Sequence, residues 1–187
     1  MNVKKSNLPG VLLIEPRIFG DNRGFFLETF QRERYEALGI DLEFVQDNHS
    51  RSKKGILRGL HFQIKHPQGK LVRCTRGEVF DVVVDINPRS PSFGQWAGFR
   101  ISGENKHQVW IPPGYAHGFQ VLSDEADFEY KCTDYYEPSD EGCLIWNDPD
   151  VGIEWPLDGD PILSDKDLAG HRIFTVANKE THHQIAK

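Results

Sequence analysis

Short apolar segments, separated by Gly, Pro, Asn and Asp, recur along most of this chain. They are rich in Val, Ile, Phe and Tyr, and their regular spacing is typical of an all-β sandwich or barrel. Helix is expected at only two places, at 31–38, which Gly39 closes, and in a turn that Ser164 caps. We therefore predict an all-β fold with a few short helices and with strands at 11–16, 24–30, 56–63, 70–76, 79–86, 96–101, 108–111, 118–122, 126–132 and 142–146.

Alternation within these strands predicts which side chains face inward. Tyr130 shares a strand face with Phe128 and Cys132, so its phenol is expected to lie among apolar neighbours in the interior. Asp81 and Asp85 share one face of an earlier strand. The pattern leaves open whether that face meets a polar cavity or solvent.

Strict alternation places Arg58 and His61 on opposite faces of one strand. If both side chains serve one pocket, the strand must contain a bulge. Gly59 lies between them, and a bulge is least costly at glycine. A bulge at Gly59 is therefore a testable expectation.

The pattern weakens after residue 134. The stretch 146–167 is irregular and rich in Pro, and it contains two tryptophans that would be wet unless the stretch covered a sheet. The segment 176–187 is polar, and we expect a frayed tail there. Nothing resembles an interdomain linker, so a single domain is expected over residues 1–187.

Composition excludes several classes of protein. The first residues lack the apolar core of a signal peptide, and no apolar run is long enough to span a bilayer, so a cytoplasmic protein with no membrane partner is expected. The cysteines lack the CxxC spacing of a thiolate zinc site, and their number is odd. They are best explained as small buried apolar residues: Cys74, Cys132 and Cys143.

Positive charge is concentrated in the window 51–76. It holds eight Lys and Arg and no acid, although the whole chain has a net charge of -6. Nucleic acid is disfavoured as the partner, because the pI of about 5.7 is acidic and the basic residues alternate with apolar ones as half-buried strands require. A pocket for a small phosphorylated ligand explains the window better.

The segment IPPGYAHGF contains Pro112, Gly114 and His117 at the spacing of a sequence motif of cupins, small jelly-roll β-barrels. A turn followed by a hydrogen-bonded core histidine would explain the same residues. Metal-binding cupins also carry an HxH pair upstream, but here that place contains His61 and Gln63, and an amide is a poor ligand for a transition metal. We therefore expect no metal. A cavity without an ion can still enolise a ketone if it holds a histidine base, a phenol acid and a lysine that stabilises the oxyanion.

Long segments carry a more specific resemblance. FGDNRGFFLETF, QDNHSRSKKGILRGLHFQ, QGKLVRCTRGEVFDVVVDINPRSPSFGQW, ENKHQVWIPPGYAHGFQVLSD and FEYKCTDYYEP are similar to the dTDP-4-dehydrorhamnose 3,5-epimerase family, in register over about residues 10–170. The resemblance implies a cupin-type jelly-roll homodimer without cofactor. It also implies inversion at C3 and C5 of dTDP-4-dehydro-6-deoxy-D-glucose, in the biosynthesis of dTDP-L-rhamnose. The loop that contains His66 varies in the family, so no role is assigned to His66.

The resemblance also implies roles for individual residues. His61 matches the proton acceptor, Tyr130 the proton donor, Asp167 the carboxylate that orients the histidine, and Lys70 the lysine beside the carbonyl oxygen. From the residues alone, Asp81 would be an equal candidate for the role of Asp167. The positions that match substrate contacts are Phe19, Arg23, Glu28, Gln46, Asp47, Asn48, Arg58, His117, Tyr136, Glu141 and Lys166.

Within that set, Tyr136 matches an aromatic side chain that stacks on thymine. The segment around Phe19, Arg23 and Glu28 matches one that completes the site of the partner subunit. Three alternatives remain open: a 3- or 5-epimerase of a related sugar, a metal-dependent cupin dioxygenase, and a non-catalytic module that binds a nucleotide sugar.

Overall fold

The computed structural model describes residues 1–178, and strands dominate them. Two short α-helices are α1 (Arg32–Glu36) and α2 (Asp165–Leu168), and residues 173–178 are also helical. The strands are β1 (Asn2–Lys5), β2 (Leu12–Glu15), β3 (Ile18–Asp21), β4 (Gly24–Leu27), β5 (Gln46–Lys53), β6 (Leu57–Gln63), β7 (Lys70–Arg76), β8 (Glu78–Asp85), β9 (Trp96–Ser102), β10 (Gln108–Ile111), β11 (Tyr115–Val121), β12 (Glu125–Cys132) and β13 (Glu141–Cys143).

The strands form two antiparallel sheets and a separate hairpin. One sheet has the order β1-β2-β10-β7-β12-β5, the other has the order β13-β6-β11-β8-β9, and β3 pairs with β4 alone. Val72 and Phe128 of the first sheet share an apolar cluster with Val83 and Phe119 of the second, so the sheets pack face to face. The predicted all-β jelly-roll fold is confirmed, although the sheets do not close into a continuous barrel.

Apolar residues cover the outer face of the five-stranded sheet. Val82 and Val84 of β8 point away from the other sheet and are fully buried beneath Val151, Trp155 and neighbouring side chains. The prediction that the irregular stretch with its two tryptophans covers a sheet is therefore confirmed. Because β8 is buried on both faces, the Asp81 face lies in the interior of the protein.

Three strands and one helix were not predicted. β1, β3 and β5 lack apolar alternation, and β5 in particular is QDNHSRSK, without any apolar residue. The predicted frayed tail begins too early, because Val176 and Ala177 are buried in the helical residues 173–178. The rest of that tail, 179–187, lies outside the described residues, and the single domain over 1–187 stays a prediction.

Two smaller expectations can be compared with the structure. All three cysteines are free and buried, as expected. Within the described part of the chain, no helix has both the length and the apolar character needed to cross a membrane.

Candidate active site

A cavity of about 310 Å³ opens between the two sheets. Side chains from β5, β7 and β12 of one sheet and from β6 and β11 of the other line it. It brings together ten of the residues that the sequence proposed for the site: Gln46, Asn48, Arg58, His61, Lys70, His117, Tyr130, Tyr136, Glu141 and Lys166.

His61 lines the cavity, and the buried carboxylate of Asp167 contacts its ring on the side away from the cavity. Its Nε2 lies 2.7 Å from Oδ1 of Asp167, which does not line the cavity. Asp167 also accepts hydrogen bonds from the backbone N–H of Gly59 and from the Ser164 hydroxyl. Burial alone would raise the pKa of Asp167, but these hydrogen bonds and the one to His61 outweigh it and lower the pKa to about 2. An ionised Asp167 fixes the proton of His61 on Nε2, so Nδ1 is left free to accept a proton.

The bulge expected at Gly59 is present. His117 of β11 pairs with His61 and Phe119 pairs with Arg58, so β6 has one residue more than β11 between the two pairs. This bulge lets Arg58 and His61 line the same cavity. Gly59 has a φ of +111°, and a Cβ there would lie 2.6 Å from the Cα of Gly118. Only glycine fits at this position without displacing the neighbouring strand.

Tyr130 reaches the cavity from the sheet opposite His61. Its ring packs against the apolar cluster between the sheets, as the alternation predicted. Among the described residues its hydroxyl has no hydrogen-bond partner, and it is not sealed from solvent. Burial, together with the nearby negative charge of Glu141, raises the pKa of Tyr130 to about 12. The phenol therefore holds its proton at neutral pH and can donate it into the cavity.

The lysine and arginine of the cavity come from two strands of the basic window that are consecutive in sequence and lie in opposite sheets. Lys70 at the start of β7 is buried, and burial lowers its pKa, while Cys132, Glu141 and Asp81 counteract that effect. Arg58 donates from Nε to the Ser52 hydroxyl at 3.0 Å. Both cations can therefore meet an anionic ligand between the sheets.

None of the other six basic side chains in the window 51–76 lines the cavity. On the outer face of the six-stranded sheet, three arginines pair with acids of β12. The pairs are Arg51 with Asp127, Arg73 with Glu129 and Arg76 with Glu125. The basic window thus supplies two cavity cations, and much of the rest neutralises acids on a neighbouring strand.

His117 faces the same cavity and has a carboxylate partner of its own. Its Nε2 lies 2.7 Å from Oδ2 of Asp81, and both residues are buried. Sequence reasoning weighed Asp81 only as an alternative to Asp167. In the structure each carboxylate holds a different histidine.

Glu141 joins three side chains at the mouth of the cavity. Its carboxylate accepts from the Tyr136 hydroxyl at 2.9 Å and from Lys166 Nζ at 2.8 Å, and it lies 3.9 Å from Nδ1 of His61. Burial would raise the pKa of Glu141, but these partners outweigh it and lower the pKa. The half-exposed Tyr136 ring therefore stands fixed at the entrance.

Gln63 occupies the place of the second cupin histidine and was given no role from the sequence. Its Nε2 donates to the carbonyl oxygens of His66 and Tyr135, and its Oε1 accepts from the backbone N–H of Glu137. The amide thus ties β6 to the loop that carries Tyr136. A short apolar–polar pattern could not reveal this, because two of the three partners are backbone groups more than 70 residues away.

Within the described residues, one group combines three metal-ligand types, with ligand atoms less than 4.8 Å apart: His61, Cys143 and Asp167. The group does not fit a metal ion. His61 and Asp167 already share a proton at 2.7 Å, and burial raises the pKa of the Cys143 thiol to about 12.

Besides Asp167, four proposed site residues lie outside the cavity. Asp47 points to the opposite face of β5 and pairs with Lys131. Phe19 and Arg23 belong to the β3–β4 hairpin, where Phe19 is half exposed and Arg23 pairs with Asp21. Glu28 follows the hairpin and pairs with Arg34.

This fold and cavity define a class of protein, namely an enzyme that moves protons on a small anionic substrate by acid–base chemistry. The family model described as dTDP-4-dehydrorhamnose 3,5-epimerase matches residues 5–174. A protein of that name from Pseudomonas aeruginosa is 58% identical over 171 residues, which cover 91% of this chain and 94% of the relative.

Solved structures agree with that match. A dTDP-6-deoxy-D-glucose-3,5-epimerase from Legionella pneumophila, in complex with dTDP-4-keto-L-rhamnose, is 54% identical with a TM-score of 0.93 and 96% coverage of each chain. A 3'-monoepimerase from Streptomyces bikiniensis, in complex with dTDP-quinovose, is 32% identical with a TM-score of 0.85, and the match covers 97% of this chain and 98% of that one. The chain belongs to the dTDP-4-dehydrorhamnose 3,5-epimerase family.

Proposed function

We propose that this protein inverts C3 and C5 of dTDP-4-dehydro-6-deoxy-D-glucose to give dTDP-4-dehydro-L-rhamnose, without a cofactor, in the biosynthesis of dTDP-L-rhamnose. The observation that carries the proposal is the pairing of two groups in one cavity. His61, with Nδ1 free, comes from one sheet, and Tyr130, with its hydroxyl unpartnered among the described residues, comes from the other. A base and an acid on facing walls are what inversion at carbon requires.

The C4 ketone explains why one site can serve two carbons. It acidifies the C–H bonds at both C3 and C5, which flank it. His61 Nδ1 removes the proton from one of these carbons, and the electron pair moves onto the C4 oxygen to give an enolate. Lys70, buried in the same cavity, stabilises that oxygen. Tyr130 then protonates the carbon from the other face. His61 releases its proton to solvent and Tyr130 takes one up from solvent, and the sequence is repeated at the second carbon.

The remaining residues of the cavity suit the nucleotide. Arg58 and Lys166 are suited to the diphosphate, and Tyr136 at the mouth is suited to stacking on the thymine. Gln46 and Asn48 supply polar partners on the inner face of β5. Stacking alone discriminates poorly between bases, so we expect these polar groups to select thymine.

Deuterium exchange tests the proposed reaction. When the keto sugar nucleotide is incubated with enzyme in deuterated water, NMR should show deuterium at both C3 and C5 of the product. His61→Asn should abolish the exchange, while the matched variant His49→Asn, on the outer face of β5, should retain it. Deuterium at C3 alone would support the 3-epimerase alternative that the Streptomyces bikiniensis relative represents. Parental exchange in His61→Asn would refute the assigned base.

We also propose a homodimer in which the β3–β4 hairpin completes the nucleotide site of the partner. The hairpin exposes Phe19, Phe25 and Phe26, and Phe26 is 69% exposed. Such apolar exposure on a projecting hairpin favours an interface. Among residues 1–178 the guanidinium of Arg23 pairs only with Asp21, an exposed partner that a diphosphate could replace. The cytoplasmic location stays a prediction.

Subunit complementation tests this arrangement. Arg23→Ala and His61→Asn should each be inactive alone, but mixed dimers should regain activity. In the mixed dimer, one site combines an intact His61 with an intact Arg23 from the other chain. A protein that stays monomeric, or mixtures that remain inactive after subunit exchange, would contradict the proposal.

A further inference from the structure

Two histidine–aspartate pairs lie side by side in this cavity. His61 of β6 and His117 of β11 are cross-strand partners, and both line the cavity. In each pair the histidine Nε2 lies 2.7 Å from a carboxylate oxygen of a buried aspartate. The reaction described above uses only the pair of His61 and Asp167.

The two carboxylates, Asp167 and Asp81, differ in the groups that stabilise their negative charge. Asp167 accepts hydrogen bonds from the backbone of Gly59 and from the Ser164 hydroxyl, both of which are neutral donors. It can therefore stay ionised while His61 is neutral, which a base requires.

Asp81 has no such support. Its Oδ2 contacts His117, and its Oδ1 is fully buried without a hydrogen-bond partner among residues 1–178. An ionised carboxylate in that position is costly unless its partner carries a positive charge. The extra proton that neutralises the pair therefore belongs on His117.

The ring of His117 is held so that its second nitrogen meets the cavity. Nε2 is used by Asp81, and Nδ1 has no hydrogen-bond partner in the described part of the chain and is not sealed from solvent. Phe128 stacks on the ring at 6.0 Å with an interplanar angle of 20°, and Phe119 stacks on Phe128 in turn. These contacts fix the plane in which Nδ1–H points.

We propose that Asp81 is a positioning residue that keeps His117 as an imidazolium, whose Nδ1–H donates a hydrogen bond to the C4 oxygen of the sugar as that oxygen becomes negative. The inference rests on the proposed function. His117 keeps its proton throughout, while the proton from carbon goes to His61 and the electron pair goes to the oxygen. The two pairs thus have opposite duties, one as base and the other as oxyanion donor.

Other charges act on His117 from the elements packed around it. Arg58 of β6, Lys70 of β7 and Lys166 of α2 line the same cavity and oppose a further positive charge, whereas Glu141 of β13 favours it. His61 of β6 is neutral as the base and adds no charge. The direct contact with Asp81 dominates, because charges in contact and out of water interact far more strongly than charges separated by a solvent-filled cavity. Tyr130 of β12 is protonated at neutral pH and contributes no net charge.

Imidazole NMR on the ligand-free protein tests the charge state without using activity. In the parent labelled with ¹⁵N-histidine, His117 should show both nitrogens protonated between about pH 6 and 8. Its signals are assigned by their loss in His117→Asn. In Asp81→Asn, which keeps the shape of the side chain but not its charge, one nitrogen should lose its proton across this range. A neutral His117 in the parent at pH 7 would overturn the inference, even if Asp81→Asn did not fold.

Kinetics provide the second readout, with Asp85→Asn as the matched control. Asp85 is a buried carboxylate on the same face of β8, and it accepts from Ser90 and Ser92 away from the cavity. Asp81→Asn should lower kcat about 10- to 100-fold at pH 8, with partial recovery toward pH 6, and should slow exchange at C3 and C5 alike. Asp85→Asn should lower thermal stability but retain the parental pH profile of kcat.

Two kinetic outcomes would reject the inference. One is an Asp81→Asn enzyme whose kcat follows that of Asp85→Asn at every pH. The other is slowed exchange at one carbon only, which would make His117 a second base. A parent enzyme that gives no exchange at all would refute the proposed function instead, and the NMR result would still stand.

Discussion

Replacing Asp167 by Asn isolates the charge that supports the base. The amide has nearly the shape of the carboxylate and can still accept from the backbone N–H of Gly59 and from Nε2–H of His61. Its NH₂ group can donate to the Ser164 hydroxyl. The fold should therefore persist, and the loss should fall on the step in which His61 becomes positively charged.

The size of that loss follows from Coulomb's law. With Nε2 and Oδ1 in contact, the centres of the two charges lie about 4 Å apart, and an effective dielectric constant of about 20 gives about 4 kcal/mol. At about 1.4 kcal/mol for each factor of ten, this corresponds to a loss of about 1000-fold. Water in the cavity reduces the effect, so we expect kcat to fall by about 10²- to 10³-fold with little change in KM.

The assay is deuterium incorporation at C3 and C5 under single-turnover conditions, combined with thermal unfolding. Ser164→Ala is the control, because it removes a neutral donor to Oδ2 and the N-cap of α2 but leaves the charge. It should cost about 1 kcal/mol of stability and less than tenfold in kcat. If Asp167→Asn turned over within threefold of the parent, electrostatic support of His61 would not be the role of this carboxylate.

Three further predictions concern the acid, the bulge and pH. Tyr130→Phe should still exchange hydrogen at the first carbon, because His61 can return a solvent-exchanged proton to the carbon from which it removed one. NMR should show at least 100-fold less inverted product. Conversion at the parental rate would exclude the phenol as the proton donor. Gly59→Ala should unfold at least 3 kcal/mol more easily in urea, since its Cβ would collide with β11, and a smaller loss would mean that β11 can shift. The pKa of Asp127 is lowered to about 2, chiefly by the Arg51 hydrogen bond, so its contribution to stability is present above pH 4 and should be lost as the pH falls toward 2. Arg51→Met should flatten the dependence of urea midpoints on pH in that window, and an unchanged slope would contradict this assignment.

Alternation predicted the fold well where one strand face is apolar. β7 and β10 were predicted with their observed bounds, and the bulge followed from requiring two side chains in one pocket. β5 could not be found in this way, because one of its faces lines a polar cavity and the other carries ion pairs. Neither face of that strand is apolar.

The candidate site was predictable in part. Alternation from Gln46 and Asn48 could have indicated that Asp47 faces away from the cavity, as it does. The partner of His117 could not be predicted, because β8 is buried on both faces and alternation cannot say which carboxylate meets which histidine. That assignment depends on contacts between strands that are distant in sequence.

The amide at position 63 stands where metal-binding cupins have their second histidine, and here it has a structural task. A histidine there would restore the HxH pair of a metal-binding cupin, but it could not reproduce two donors and one acceptor aimed at three main-chain groups. The loop that carries Tyr136 would lose these hydrogen bonds to β6. A histidine at this one position would therefore weaken the attachment of the Tyr136 loop to β6, whatever else it could bind.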